Sequence, residues 1–284
     1  MIDIKKIGSG EVLASIDADT LAGADLREMI LEEADLENAD LNHAKLSFAD
    51  LNRANLKGAN LQHASLIGAY LNDADLSDAN LSYAEMGSDI QAHAAMLLNS
   101  KLIRTNLSHA YLHRVDFREA DLSQANMSRA DMRNAVFYRA NLTGAVAINS
   151  LFIDANLREA DLNHADLCDS HFNDANMVKA NLSYANLGSK HEEGFAVINK
   201  ANLQDANLSH AQLGNIFARS VNLHRADLSN ANLENAVVTG SIISRANVSN
   251  AEFKGVELET VTMVYSNFSK ALNASIPKFK QHIL

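Results

Sequence analysis

Every fifth residue of this chain is apolar across almost its whole length. From Ile16 to Met86, from Leu97 to Leu187 and from Ile198 to Phe268 the beat holds without exception, at 49 positions of which 31 are Leu. Two residues before them stands Ala in 36 of the 49, and between the two most often Asp or Asn, as in Ala34-Asp35-Leu36, Ala59-Asn60-Leu61 and Ala180-Asn181-Leu182. Five residues of α-helix turn through about 500°, so successive leucines would land roughly 140° apart and smear around the helix. A continuous strand fares no better, because an odd period sends alternate leucines to opposite faces. The consistent solution is a short extended piece with the small residue and the leucine both inward. A turn suited to Asp and Asn follows, and the whole repeats every five residues. Such a chain winds into a coil whose turns stack through backbone hydrogen bonds, a β-solenoid.

The A(D/N)LXX pattern resembles the pentapeptide repeat family, over residues 14–268. The resemblance implies an all-β fold, a right-handed quadrilateral β-helix with four repeats per coil. For this length that means about 12 to 13 coils. Residues 1–13 are then an N-terminal cap and 269–284 a short C-terminal capping segment. Asp19, Met29 and Ile216 stand where Ala is expected, so local distortion is predicted there. The single Pro lies beyond the last repeat, where it disturbs no ladder, and the absence of Trp suits a narrow Leu/Ala interior. The N-terminus lacks the apolar run of a signal peptide and no stretch approaches a membrane span, which makes cytoplasmic residence the expectation; a secreted effector without such a signal would look the same.

The beat slips twice, between Met86 and Leu97 and between Leu187 and Ile198, each time over 11 residues. Read as two pentapeptides plus one surplus residue, each slip is an outward bulge, near residues 87–96 and 188–197. The flanks match, Leu81-Ser82-Tyr83-Ala84-Glu85-Met86-Gly87-Ser88 against Leu182-Ser183-Tyr184-Ala185-Asn186-Leu187-Gly188-Ser189, at an offset of 101 residues. One surplus residue and a four-sided coil would place both bulges on the same face. Irregular segments on a regular scaffold carry recognition, although an inherited duplication would leave the same trace. The partner-binding candidates are Asp89, Gln91 and His93 in the first bulge, and Lys190, His191, Glu192, Glu193 and Phe195 in the second. Phe195 is either an exposed anchor or an inward filler.

The formal net charge is −11, concentrated near the start. Asp25, Glu28, Glu32, Glu33, Asp35 and Glu37 lie in a run whose only base is Arg27. The family resemblance implies a function for such a surface, since some members mimic duplex DNA and bind type II topoisomerases such as DNA gyrase in its place. Duplex DNA presents a charge about every 1.7 Å along its whole length. Here the acidity fades after the first third, and Arg104, Arg114, Arg118, Arg129, Arg133, Arg139 and Arg158 enter the middle coils. The leading expectation is therefore a non-catalytic protein–protein interaction scaffold with a protein partner, and the alternative is a gyrase-binding DNA mimic. The overall sign disfavours binding to nucleic acid itself.

Little here points to chemistry. A regular coil offers flat faces rather than a water-excluding pocket with converging groups, so no enzyme, cofactor or metal is expected. His43 and His63 should be neighbours on successive coils at about 4.8 Å, but Tyr83 continues their column and makes a poor third ligand. Cys168 follows Leu167 and is expected to point outward as a surface thiol. Pro277 could open a short helix with Phe279 and Ile283 on one face. Together with Ile276, that face would cover the last coil or pair with a second copy; association through this end is the family's implication.

Overall fold

The computed structural model describes residues 1–189 and 195–280, and it shows why a five-residue unit closes on itself. In most units the small residue and the leucine are buried, while the residue between them bridges to the coils on either side. Asp25 bridges Lys45, Ile30 bridges Asp50, Asp35 bridges Asn55 and Asp40 bridges Asn60, all in parallel. Each unit thus meets the fourth unit after it, and the coil is four-sided. At most corners the N–H of residue i+3 returns to the carbonyl of residue i, as Ala54 does to Leu51 at 3.0 Å. The third residue of that corner takes a positive φ, 59° at Arg53 and 57° at His43. Side chains rarely adopt that region. What holds it is the next coil, since Arg53 donates its own N–H to the Asn72 carbonyl at 2.9 Å.

The Asp/Asn column does two jobs at once. Asn60 Oδ1 accepts the Gln62 N–H at 3.3 Å, which shapes the corner, while its Nδ2 donates to Asp40 Oδ1 at 3.0 Å one coil earlier. The interior is a stack of buried leucines, interrupted by paired phenylalanines such as Phe117 and Phe137, whose ring centroids lie 5.0 Å apart. The chain divides into two compact units, Met1–Leu142 and Thr143–Leu284, each with the same four-sided coil.

Several expectations need correction. Ile16 belongs to the cap, not to the first coil. Strand β1 (Ile2–Lys6) pairs antiparallel with β2 (Val12–Ile16), where Ile16 faces Ile2. On its other edge β1 pairs antiparallel with β3 (Ala34–Asp35), and Ile4 in β1 is buried. At Met29 the corner bond to Leu26 does lengthen, to 3.4 Å. At Ile216 the ladder persists, Val237 N–H donating to its carbonyl at 2.9 Å, but among the described residues its own N–H makes no corner bond back to the Leu213 carbonyl, unlike Ala211 to Leu208 at 3.1 Å. At the other end Lys280, not Phe279, covers the terminal coil. Lys280 donates Nζ to the carbonyls of Leu258 and Val261 at 2.8 and 2.6 Å, whereas Phe279 is 63% exposed. The predicted short helix is one 3-10 turn, Lys278–Lys280, directly after Pro277, and Ile283 lies outside the described residues.

The breaks also differ from their sequence reading. Tyr70 bridges Met96 and His171 bridges Val197, each a longer return than the regular one of Asp35 to Asn55. Each break therefore inserts six residues into a single step, not one residue into two. The expectation of a shared face rested on one surplus residue, and 101 residues no longer make whole coils plus that surplus.

Some serines in the Ala position are more than small. Ser241 Oγ donates to the Ala218 carbonyl at 2.6 Å and accepts the Val221 N–H at 3.0 Å, so one hydroxyl bridges a corner that has opened. Ser170 and Ser266 repeat this for the corners at Ala147 and Ile243. Replacing Ser241 with Ala strands a buried donor and acceptor, and is expected to cost about 1–3 kcal/mol in chemical denaturation. Replacing Ser123, which is half-buried and outside the interior, should change stability by less than about 0.5 kcal/mol.

Candidate functional site

The first break forms an ordered outward loop, pinned at its neck. Gly87 N–H donates to the Tyr111 carbonyl at 2.8 Å, Ser88 N–H to His113 at 3.1 Å, and Ala95 N–H returns to Met86 at 2.8 Å. Gly87 is required by contact. A Cβ there would lie 2.3 Å from the backbone nitrogen of His113 and 2.8 Å from its carbonyl oxygen. Ser88 Oγ caps the Ile90 N–H, and one turn of 3-10 helix, Gln91–His93, carries the chain back. Asp89, Ile90 and Gln91 are exposed as predicted, with Ile90 at 57%. His93 is half-buried. Its ring meets Phe48 edge-on at 5.4 Å, and Phe48 in turn lies over Gly68, which has no side chain to obstruct it.

Beneath the loop sits a titratable cluster that linear order offers no reason to assemble. His113 is buried, and its Nε2 accepts a hydrogen bond from Arg114 Nε at 3.1 Å. Asp89 Oδ1 stands 3.7 Å from the same nitrogen, and the Tyr111 hydroxyl donates to Asp89 at 3.5 Å. Burial, then the charges of Asp89 and Asp131, push the Tyr111 phenol above its usual value. An imidazole that accepts at Nε2 carries its proton on Nδ1, which is buried here without an acceptor. No nucleophile among the described residues of this cluster is aimed at an open cleft. The arrangement suits recognition, with Ile90, Phe48 and Tyr70 offering exposed apolar surface amid charge.

In the second break Phe195 is exposed, edge-on to Phe217 at 4.6 Å, with Arg219 over the Phe217 ring. Lys190, His191, Glu192 and Glu193 lie outside the described residues. Cys168 is fully buried, contrary to expectation, and its Sγ accepts from Asn186 Nδ2 at 3.0 Å. Its neighbour Asp169 is buried too, and neither carboxylate oxygen meets a donor.

The histidine column is a stack, not a ligand set. His43 and His63 lie 4.7 Å apart with planes 6° from parallel, and Tyr83 and His109 continue the stack at 5.0 and 4.6 Å. Ring nitrogens point in the plane of each ring, so parallel faces cannot aim them at an ion held between. Among the described residues no group of three or more His, Cys, Asp or Glu could hold a metal. A matching trio, His164, Tyr184 and His210, stacks at 4.9 and 4.5 Å.

The acidic run is partly neutralised from other coils, which its linear sequence conceals. Arg53 reaches Glu32 at 2.6 Å and Glu33 at 2.8 Å, and Lys6 reaches Glu33 at 3.1 Å. Arg27 pairs with Asp25 and lowers its pKa to about 2 through that hydrogen bond. Asp35 and Glu37 both accept from Asn55 Nδ2, while Glu28 is exposed at a corner. The Lys6 hydrogen bond, more than Arg53, holds Glu33 below its ordinary value of 4.5. A depressed folded pKa stabilises above the unfolded value, and that contribution is lost as pH falls through the folded one. The N-terminal hairpin should therefore loosen as pH falls below the ordinary carboxylate range. Hydrogen exchange at Ile7, whose N–H donates to the Glu33 carbonyl, reads this once corrected for intrinsic pH dependence. Unchanged protection there would refute the link.

Comparison with known proteins bears on the repeat. A model described as pentapeptide repeats matches in eight copies, within residues 21–87, 100–188 and 201–240. A search of curated proteins returns no match. Among solved structures, the chain is similar to HetL, a pentapeptide repeat protein involved in heterocyst differentiation regulation from the cyanobacterium Nostoc sp. strain PCC 7120. That similarity is 25% identity over 91% of this chain and 94% of the other, with a TM-score of 0.25. A trypsin-treated form of QnrB1, a plasmid-mediated fluoroquinolone resistance protein, is 14% identical over 79% of this chain and 91% of its own, with a TM-score of 0.39. Superpositions this loose say nothing about function. No helix among the described residues is long and apolar enough to cross a membrane.

Proposed function

Because this chain belongs to the pentapeptide repeat family, whose members fold as right-handed β-helices, we propose that it is a non-catalytic scaffold that binds a protein partner through its first bulge. One observation carries this reading. The bulge is anchored by backbone hydrogen bonds at its neck yet exposes Asp89, Ile90 and Gln91, with His93 packed edge-on against the exposed Phe48. Pre-organised apolar groups with a charged rim are the composition from which binding hot spots are made. The test is a pull-down comparing the native protein with a variant in which the six inserted residues are removed to restore the regular return. Loss of a specific partner is expected; an identical set of partners would exclude the bulge.

The DNA-mimic alternative requires continuous unpaired acidity. Arg53, Lys6 and Arg27 pair with three of the six acidic-end candidates, Glu32, Glu33 and Asp25, which weighs against it. The expected result is that gyrase supercoiling, with or without a quinolone, is unaffected by micromolar protein. Inhibition or protection would restore the mimic reading.

A further inference from the structure

The C-terminal end of the second unit holds an open rung. On the side just before it the coils are bonded, Phe253 N–H to the Leu272 carbonyl at 2.9 Å and Leu272 N–H to Ala251 at 2.8 Å. On the following side the pattern stops. One coil after Glu257 the chain places Pro277, which has no N–H to give to the Val256 carbonyl. Among the described residues, neither the Val256 carbonyl nor the Leu258 N–H has a backbone partner. Between this edge and the tail lies a cleft of about 420 Å³, lined by Val256, Glu257, Leu258, Glu259, Ser275 and Pro277.

The same segment has also parted from the coil below. Glu257 makes no bridge to Val237, although Glu252 and Thr262 on the sides before and after keep theirs to Asn232 and Ile242. A second cleft of about 210 Å³ opens there, between Ala236–Thr239 and Glu257. Lys280 satisfies the Leu258 carbonyl but turns its ammonium inward, leaving Glu257 and Glu259 exposed at the rim. Unpaired backbone groups at a sheet edge are a template for another strand.

We propose that this edge takes an extended, basic segment of a protein partner as one further rung. The central residue of that segment donates its N–H to the Val256 carbonyl and accepts the Leu258 N–H. Its outward side chain, Lys or Arg, then stands one coil spacing from Glu257, roughly 4.8 Å. Charge complementarity selects the basic residue; the hydrogen bonds select an extended backbone. The surface is separate from the first bulge, so it stands or falls independently of the bulge reading.

The test uses the full chain and a fluorescein-labelled peptide, Ser-Asn-Ala-Lys-Leu-Ser, a single repeat with lysine in the outward position. Weak, saturable binding is expected by fluorescence anisotropy below about 1 mM. The same peptide N-methylated at the lysine amide keeps its charge but loses the one donor, and should bind at least about tenfold more weakly. A double variant, Glu257→Gln with Glu259→Gln, should weaken binding about threefold and flatten its salt dependence. No saturable binding overturns the proposal. Equal binding of the methylated peptide overturns the rung, and binding unchanged by E257Q/E259Q overturns the choice of a basic segment.

Discussion

Phe152→Ala is expected to destabilise the second unit by about 3–5 kcal/mol, the range for emptying a buried aromatic site. Phe152 is fully buried and stacks on Phe172, centroids 4.5 Å apart and planes 6° from parallel. The two rings occupy the leucine position in successive coils, so deleting one leaves a gap that neither Leu nor Ala neighbours can refill without moving the backbone ladder. A solenoid distributes stability over units and the contacts between adjacent ones. The loss should therefore fall on nearby coils, and the thermal midpoint should drop by on the order of 10 °C. Ile30→Ala is the matched control, an apolar side chain 74% exposed, for which a change within about 0.5 kcal/mol is expected. A Phe152→Ala protein as stable as the native one would mean the phenylalanine stack contributes nothing.

Gly87→Ala should cost about 3 kcal/mol, at the upper end for overpacking, and should release the first bulge. The new methyl would overlap the His113 backbone, which cannot swing away as a side chain could. Either Gly87 loses its bond to Tyr111, or Ser88 loses its bond to His113. Amide exchange at Ser88 and Ile90 should rise accordingly. Gly188→Ala provides the comparison. Gly188 holds the matching place in the second flank, but a Cβ there meets nothing nearer than 3.3 Å, so a cost below about 1 kcal/mol is expected. Equal effects at the two glycines would show that the neck contact at Gly87 is not what holds the bulge.

These two glycines show where sequence reading ends. The strings Met86-Gly87-Ser88 and Leu187-Gly188-Ser189 invite one explanation, yet only Gly87 is jammed against a neighbouring backbone. That backbone is His113's, on the following coil, and nothing local announces it. The same holds for the cluster under the bulge. Asp89 was legible as a loop residue, but Tyr111 and His113 reach it only because one coil lies on the next, and Arg114 joins the cluster through His113. Phe48 was unreadable as a support for His93, since its ring finds room over the empty corner at Gly68, one coil on. Cys168 went wrong for a related reason. A residue just after the leucine points out of the coil, but pointing out of the coil is not the same as meeting solvent.

The histidine stack was half legible. A separation of one whole coil predicts that His43 and His63 are neighbours, and they are; that the rings would meet face to face with Tyr83 and His109 follows from the shared positive φ of one corner column. Acidity was legible as composition and misleading as a surface. The pairing of Glu32 and Glu33 with Arg53 spans a full coil, so a linear charge count overstates what a partner meets.

By itself, the five-residue beat determines the coil, the inward leucines and the two places where the coil breaks, because burial of a fixed periodic pattern leaves a chain few ways to wind. Tertiary structure alone decided how many residues each break inserts, which side chains gather beneath the first bulge, and which backbone edge is left open at Pro277. All three depend on what lies a full coil away along the chain and about 4.8 Å away in space, a proximity that appears only once the coils have stacked.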